Sequence, residues 1–548
     1  MAGSFLKRIS SLLGARQPQP EVSARSVDEQ FECLLDDAKR AYDSGNDVDA
    51  LDLYRRASEL KPEQLKPHEM LGYLYLQRGN HIKARAHLQC ALEISPSSID
   101  GLYFSSVIAV GNGDVDLARK HLQHLLELEP DHIHANKDLA LILWQEGSQK
   151  AAFELLETAI VQSPNAAVLH LYLGNFYLQS FQAPLALKAY QEVVRCGEHS
   201  PEIYYSLGAT CVVLGLAAGA KAYFQRVLEM SPQHVSAHFE LALLYLQSGD
   251  YEDGWREFEW RWELPSLKPH RFRSKSPRWD GKQSLVGRKL LVLSEQGFGD
   301  TIQFCRFIPL LRQSGAEVVF VALKPLIGLM AQIENVSELL DEQTALPEYD
   351  FYCELMSLPY LLGLGFADVP APSSYLKADA DVVKEWSSKL SRMNGRKRVG
   401  IVWAGNSQFA KNHTRSISFA AWRQLFDLNL DFVVLQKEIS SDDRADIGTI
   451  TNVSMWSDDL RSFADTAALI EALDLVVTVD TSVAHLAAAM GKPTWILISH
   501  HPDWRWLLER TDSPWYPSVR LFRQQAMQTW ESVLSDVKAE LKLLEDSK

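Results

Sequence analysis

Apolar positions between residues 31 and 264 recur with a period of 34. Counting units from 31, 65, 99, 133, 167, 201 and 235, the eighth place is always small: Ala38, Gly72, Ser106, Ala140, Gly174, Gly208 and Ala242. The twentieth is Ala50, Ala84, Ala118, Ala152, Ala186, Ala220 and Gly254, and the twenty-fourth is bulky: Tyr54, Leu88, Leu122, Leu156, Tyr190, Phe224 and Phe258. Small residues at two places and a large one at a third are what two closely crossing antiparallel helices require. Prolines at 62, 96, 130, 164 and 232 close five of the units, as residues that cannot continue a helix. The pattern predicts seven helical hairpins.

Beyond residue 289 the pattern changes. The run Leu290 to Leu293 breaks at Gly297 and Gly299 and resumes with Ile302, Phe304, Cys305, Phe307 and Ile308 at helical spacing, which predicts strand, glycine turn and helix. GAEVVFVAL (315–323) predicts a second buried strand. A new cycle starts at Arg398 with RVGIVWAGN, whose strand ends at Gly405-Asn406, and passes through DFVVLQKE (431–438), which carries Gln436 and Lys437. The segment LVVTVDTSVAHLAAAMGKPTWILIS (475–499) gives a strand, an Asp480-Thr481-Ser482 turn, a small-residue helix containing His485, and another strand. Strands alternating with helices predict largely parallel sheets. The expected division is a tail or short helix over 1–30, hairpins over 31–264, a junction over 265–288, and α/β domains over 289–390 and 391–548.

A 34-residue helical hairpin is the tetratricopeptide repeat, and stacked repeats form a solenoid whose concave face takes protein segments. That face is expected to be apolar and aromatic, with Tyr73, Tyr103, Trp144, Tyr205 and Phe239 as partner-binding residues. The alternative is that neighbouring repeats cover part of the stripe. Trp255, Trp260, Trp262 and Trp279 are expected to pack the end of the array against the next domain.

Composition narrows the function. The net charge of −15 argues against wholesale nucleic-acid binding, and no apolar run is long enough for an integral membrane segment. Six scattered cysteines without a C-x-x-C pair predict reduced core residues in a cytoplasmic protein. MAGSFLKRISSLLGAR at the start has charge interrupting its apolar positions, which argues against a signal peptide.

The chemistry concentrates on the glycine-rich and Asp-Thr-Ser turns. Each leaves amide N–H groups at a helix N-terminus, where an anionic group is favoured, although helix capping alone accounts for an Asp-Thr-Ser run. Displacement of a phosphate by a hydroxyl needs a base near the attacking oxygen and positive or N–H groups near the departing phosphate. Asp300 supplies the first; Arg415, Lys437 and the helix start at Thr481 supply the second, with no metal required. Asp379-Ala380-Asp381 is the one D-x-D sequence beyond residue 289 and is expected to be a solvated acidic turn. Trp504, Trp506 and Trp515 either pack the core or shape a base or sugar pocket.

G-x-G-D followed nine residues on by proline (Asp300, Pro309), together with D-T-S-x-x-H-L-A-A-A-x-G-x-P (Asp480 to Pro493), resembles the heptosyltransferase class of GT-B glycosyltransferases over about residues 289 to 525. Joined to a repeat array ending in G-W-x-x-F-E-W-R (Gly254 to Arg261), it is more similar to bacterial repeat-bearing glycosyltransferases, some of which glycosylate flagellin. The resemblance implies a double Rossmann-like GT-B module, a nucleotide-sugar held mainly by its C-terminal domain, and no cofactor. It places Asp300 on the catalytic carboxylate. It places Asp480, Thr481, Ser482 and His485 on the donor site, to which Gly297, Gly299, Asn406, Arg415, Gln436 and Lys437 are added. KNHTRSIS around Arg415 and HPDWRWLLERTDSPWYP (501–517) depart from the heptosyltransferase pattern. The expected function is O-glycosylation of a flagellin-like protein captured by the repeats. The competing readings are transfer to a lipid-linked or polysaccharide acceptor and a non-catalytic adaptor.

Overall fold

The computed structural model describes residues 26–391, 396–406, 412–525 and 529–546, so residues 1–25 of the N-terminal tail lie outside it. The chain divides into two compact units, residues 1–199 and 200–548.

The first unit holds five helical hairpins, beginning Val27–Asp43 with Asp47–Leu60 and ending Ala167–Gln179 with Ala183–Arg195. The first helix starts four residues before the expected position because Ser26 caps it, accepting from the Glu29 amide while Glu29 accepts from the Ser26 amide. The repeat arithmetic has a direct steric cause. A Cβ added to Gly72 would lie 2.5 Å from Leu88, and one added to Gly174 would lie 2.6 Å from Tyr190, so the eighth place is small because the twenty-fourth is large. The turn between the two helices needs a left-handed residue at the fifteenth place, which Gly45, Gly79, Gly113 and Gly147 supply. In the fifth hairpin Phe181 takes that conformation at φ 59° with its ring 87% exposed.

A second regularity joins neighbouring hairpins. The Nε2 atoms of His68 and His170 lie 3.0 and 2.9 Å from the carbonyls of Pro62 and Pro164, and Asn136 Nδ2 donates to the Pro130 carbonyl at 2.9 Å. His238 does the same to Pro232 at 3.0 Å in the second unit. The donor is the fourth residue of a repeat, and it satisfies the carbonyl of the proline that ended the one before.

The second unit contains the helix pairs Pro201–Val213 with Ala217–Met230 and Val235–Ser248 with Tyr251–Phe258, followed by two parallel sheets. In the first sheet β1 (Lys289–Leu293), β2 (Glu317–Ala322), β3 (Glu338–Asp341) and β4 (Phe351–Glu354) run in the order β3-β2-β1-β4. The second sheet comprises β5 (Arg398–Val402), β6 (Asp431–Val434), β7 (Val453–Met455), β8 (Leu475–Val479), β9 (Thr494–Ile498) and β10 (Val519–Arg523). Its order, β10-β9-β8-β5-β6-β7, is that of a doubly wound dinucleotide-binding fold read from the opposite edge. The fold is therefore tetratricopeptide hairpins followed by a double Rossmann-like α/β module of the GT-B kind.

Three expected boundaries shift. A division at 264 would cut a continuous apolar core in which Leu246, Tyr251, Trp255 and Phe258 pack with Leu290, Phe304 and Trp515. The segment 265–288 is part of the first α/β domain, because the Trp279 amide donates to the Tyr352 carbonyl at 2.8 Å and Arg278 bridges to Tyr352, extending the sheet past β4. Helix Ala380–Leu390 packs on the second domain, with Trp386 edge-on to Trp456 at 6.0 Å, so the division falls before Asp379 rather than at 390. Trp255, Trp262 and Trp279 are buried as expected, at 2%, 7% and 3% exposure.

Candidate active site

In a doubly wound sheet the ligand crevice opens at the carboxyl ends of the two strands where the winding reverses. In the second sheet those strands are β5 and β8, which run into Gly405-Asn406 and Asp480-Thr481-Ser482. In the first sheet they are β1 and β4.

The two crevices differ. Glu295 just beyond β1 and Glu354 ending β4 are taken up by arginines from the preceding segment. Arg261, 0% exposed, donates to both Glu295 oxygens at 3.0 and 2.7 Å, to Glu259 at 2.9 Å and to the Ser357 hydroxyl at 2.7 Å. Arg278 donates to Glu354 and Glu259, each at 2.6 Å. The reversal point of the first sheet is thus filled by an ion network.

The turn after β1 leads into helix Phe298–Phe304, and the turn after β8 into helix Ser482–Ala489. The helices meet where neither backbone carries bulk, since a Cβ on Gly299 would lie 2.9 Å from His485 Cδ2 and 3.6 Å from Ser482 Cα. Gly299 is required for this approach. The Gly297 amide donates to Asp300 Oδ2 at 2.8 Å, closing the turn. Asp300, Gly299, Ser482 and His485 therefore converge across the two domains.

Arg505 completes the group. It lies in the turn Trp504–Trp506 and donates Nη2 to Asp300 Oδ1 at 2.5 Å, Nε to Gln303 Oε1 at 2.5 Å and Nη1 to Asp503 Oδ1 at 3.0 Å. Burial raises the Asp300 carboxyl above its ordinary range, and the Arg505 charge opposes that rise. Asp480 is pushed up to about 6, first by burial and next by the nearby negative charge of Asp503, with Arg415 acting the other way. His485 is held well below its usual range by burial and by Arg505, Arg306 and Arg415, so the imidazole is neutral, with Nδ1 2.9 Å from the Tyr516 hydroxyl.

Thr481 stands at the N-cap of its helix, but its side chain accepts no capping hydrogen bond; its hydroxyl lies 3.3 Å from that of Thr478. The helix start is therefore not capped in the way an Asp-Thr-Ser run permits. The Arg415 guanidinium covers Gly405, where a Cβ would come within 2.5 Å of Nη2. Asn406 is exposed beside it. Gln436 ties this loop to β6, its Oε1 accepting from the Trp403 and Ala404 amides at 3.2 and 3.0 Å. Lys437 donates to the Leu460 carbonyl at 2.5 Å. Trp504, Trp506 and Trp515 are core residues at 5%, 0% and 0% exposure, and the Trp506 ring stacks on His485 at 5.4 Å. Asp379 caps helix Ala380–Leu390 through the Asp381 and Val382 amides. Among the described residues no three His, Cys, Asp or Glu side chains are grouped to hold a metal ion.

The five repeat residues expected to bind a partner are all half-buried. Trp144 stacks on Phe176 at 4.2 Å and donates to Gln179 at 2.8 Å, while the Tyr103 hydroxyl donates to Asp138 at 3.2 Å. Tyr73 lies against Phe104 at 5.1 Å, Tyr205 against Phe224 at 5.5 Å and Phe239 against Phe258 at 5.9 Å. Repeat packing thus occupies much of these rings: Tyr73 also meets Tyr42 at 6.1 Å, Trp144 meets Phe153 at 5.7 Å and Tyr205 meets His234 at 5.2 Å. Arg505, Arg261 and Arg306 were not singled out from the sequence; the dense Arg and Trp content of 501–517 was the one signal pointing to Arg505.

Known proteins agree with this architecture. The glycosyltransferase family 9 (heptosyltransferase) model matches residues 461–533, and a tetratricopeptide repeat model matches 35–99, 107–167 and 212–254. Protein FlbA of Caulobacter vibrioides is 25% identical over 440 residues, which are 75% of this chain and 73% of that protein. The human protein O-mannosyl-transferase TMTC3 is 23% identical over 203 residues, 37% of this chain and 20% of that one. A solved structure of Pseudomonas aeruginosa PilF is 20% identical and covers 38% of this chain and 92% of that one, with a TM-score of 0.34. No helix among the described residues is long and apolar enough to cross a membrane. With repeats along its N-terminal half and a match to glycosyltransferase family 9 over residues 461–533, the protein is a glycosyltransferase carrying tetratricopeptide repeats.

Proposed function

We propose that the protein moves a sugar from a nucleotide-sugar to a Ser or Thr hydroxyl of a protein acceptor, flagellin-like in presenting amphipathic helices, held by the repeats in the cytoplasm. One observation carries this reading: the last repeat and the loop bearing Arg505 are packed together. Gln247 on helix Val235–Ser248 donates to the Pro502 carbonyl at 3.2 Å, and Trp255 lies edge-on to Trp504 at 5.4 Å. A protein segment lying on the final repeat is thereby delivered to the neighbourhood of Asp300. The name of TMTC3, a protein O-mannosyl-transferase, points to the same acceptor class.

In this reading the diphosphate rests at the start of helix Ser482–Ala489 with Arg415 beside it, and needs no cofactor or metal. Asp300 takes the proton of the acceptor hydroxyl as the new bond to the anomeric carbon forms. The bond from that carbon to the phosphate oxygen breaks, and the nucleoside diphosphate leaves with the electron pair. Charge developing on the phosphate is met by groups already in place.

The test is to incubate the full chain with purified flagellin and a panel of UDP-, GDP- and ADP-sugars, followed by intact-mass and peptide-mapping spectrometry. A sugar-sized mass increment on Ser or Thr, lost with Asp300→Asn, is expected. An unmodified flagellin together with label transferred to a lipid extract overturns the protein-acceptor reading.

A further inference from the structure

Asp300 lies half-buried between two domains, where desolvation makes a lone carboxylate hold its proton more tightly than usual. The charge beside it comes from 205 residues away in the sequence and from the other α/β domain. We propose that Arg505 is the positioning residue of this site, fixing the orientation and the proton affinity of Asp300, and that the loop carrying it is braced by the last repeat. The proposal rests on the reading of Asp300 as the base.

The geometry supports it from three sides. Arg505 presents separate nitrogens to Asp300, Gln303 and Asp503, so its guanidinium plane has little freedom to rotate. Its guanidinium carbon sits 4.4 Å over the Trp504 ring, and Trp504 is in turn held edge-on by Trp255 of the last repeat. Asp300 has one oxygen on Arg505 and the other on the Gly297 amide, which fixes the carboxylate plane and leaves further lone pairs for an incoming hydroxyl. Asp503 also acts on it and opposes ionisation, neutral His485 packs against the neighbouring Gly299, and Arg505 is shared with Asp480.

Arg505 differs from a cation that meets phosphate, because its donors are turned to the base and to residues flanking it. Removing its charge is expected to leave Asp300 a stronger base that is protonated over more of the pH range. The rate is then lost at low pH and recovered at high pH, an effect that a purely structural residue does not give.

The experiment uses the full chain with water standing in for the acceptor hydroxyl. Release of nucleoside diphosphate from a panel of UDP-, GDP- and ADP-hexoses identifies a donor that is turned over, and kcat/KM is followed from pH 5 to 9 for wild type, Arg505→Gln and Arg505→Lys. An opposite charge at this range lowers a carboxyl pKa by about 1–3 units, so the acid limb of Arg505→Gln is expected to move up by that amount, with Arg505→Lys falling between it and wild type. An unmoved limb in both variants, or a loss independent of pH in folded Arg505→Lys, overturns the proposal while leaving the base assignment standing. Wild-type turnover by Asp300→Asn overturns the base assignment itself.

Discussion

Arg261 donates in parallel to the two carboxylate oxygens of Glu295, joining the segment after the last repeat to the end of β1 at a point where Arg261 is fully buried and Glu295 nearly so. Replacing it with alanine leaves Glu295 as an uncompensated buried charge, and burial already raises that carboxyl above its usual range. Breaking a buried pair from one side costs about 3–5 kcal/mol. Thermal unfolding of Arg261→Ala is expected at clearly lower temperature than wild type, and a chain ending at residue 264 is expected to be insoluble because it strips the cover from Trp255 and Phe258. A soluble, well-folded 26–264 fragment would refute the shared core.

Phe181 occupies a left-handed position that glycine fills in the four preceding hairpins. Its ring is almost wholly exposed, so little packing is lost on removing it. Phe181→Gly is expected to stabilise the first unit by about 1 kcal/mol through relief of backbone strain. Denaturant unfolding of residues 26–199 checks the sign.

The hairpins were legible in the sequence because the physics that makes them is local: a small residue and a bulky one sixteen places on must meet, and Gly72 with Leu88 does so in the structure. The strands were legible for the same reason, since a buried parallel strand is a short apolar run. Arg505 and Arg261 were not, although both stood in segments dense in Trp and Arg. Their meaning depends on Asp300 and Glu295, whose proximity is set by how whole domains dock. The end of the array was misplaced because its last helices bury their apolar faces against the α/β domain, and a repeat register carries no mark of what lies on its outer side.

Asp300→Asn keeps the shape of the side chain and one acceptor oxygen but removes the proposed base. Loss of a positioned general base typically lowers rate by about two to four orders of magnitude. Donor binding measured by calorimetry is expected to remain near wild type while transfer is lost. Turnover within a factor of a few of wild type would take Asp300 out of the chemical step.

Arg415 lies over Gly405 at the mouth of the second crevice and lowers the pKa of Asp480. Arg415→Ala is expected to weaken nucleoside diphosphate binding by about tenfold or more, equivalent to a charge-assisted hydrogen bond of about 1.5–3 kcal/mol. If Arg415 and the amides starting helix Ser482–Ala489 meet the phosphate as proposed, EDTA is expected to change turnover little. A strict requirement for added divalent ion contradicts this arrangement.

Asp480 titrates at about 6 in the folded chain against an ordinary value of 3.8. A folded-state pKa raised in this way stabilises the protein below about pH 4 and withdraws that stability as pH rises through 6. Asp480→Asn is therefore expected to unfold at higher temperature than wild type at pH 7.5, by up to about 3 kcal/mol, with the gap closing below pH 4. A difference that is the same at both pH values would show that the carboxyl is not held in this state.

The bond from the fourth residue of a repeat to the proline ending its predecessor also bears on how such arrays change over time. His68, Asn136 and His170 each serve a carbonyl outside their own hairpin. A duplication or deletion that respects the 34-residue frame can therefore still orphan a donor or an acceptor at its edges. The heritable module is the seam between two hairpins together with the halves on either side, and recombination within helices leaves fewer broken partners than recombination at the loops.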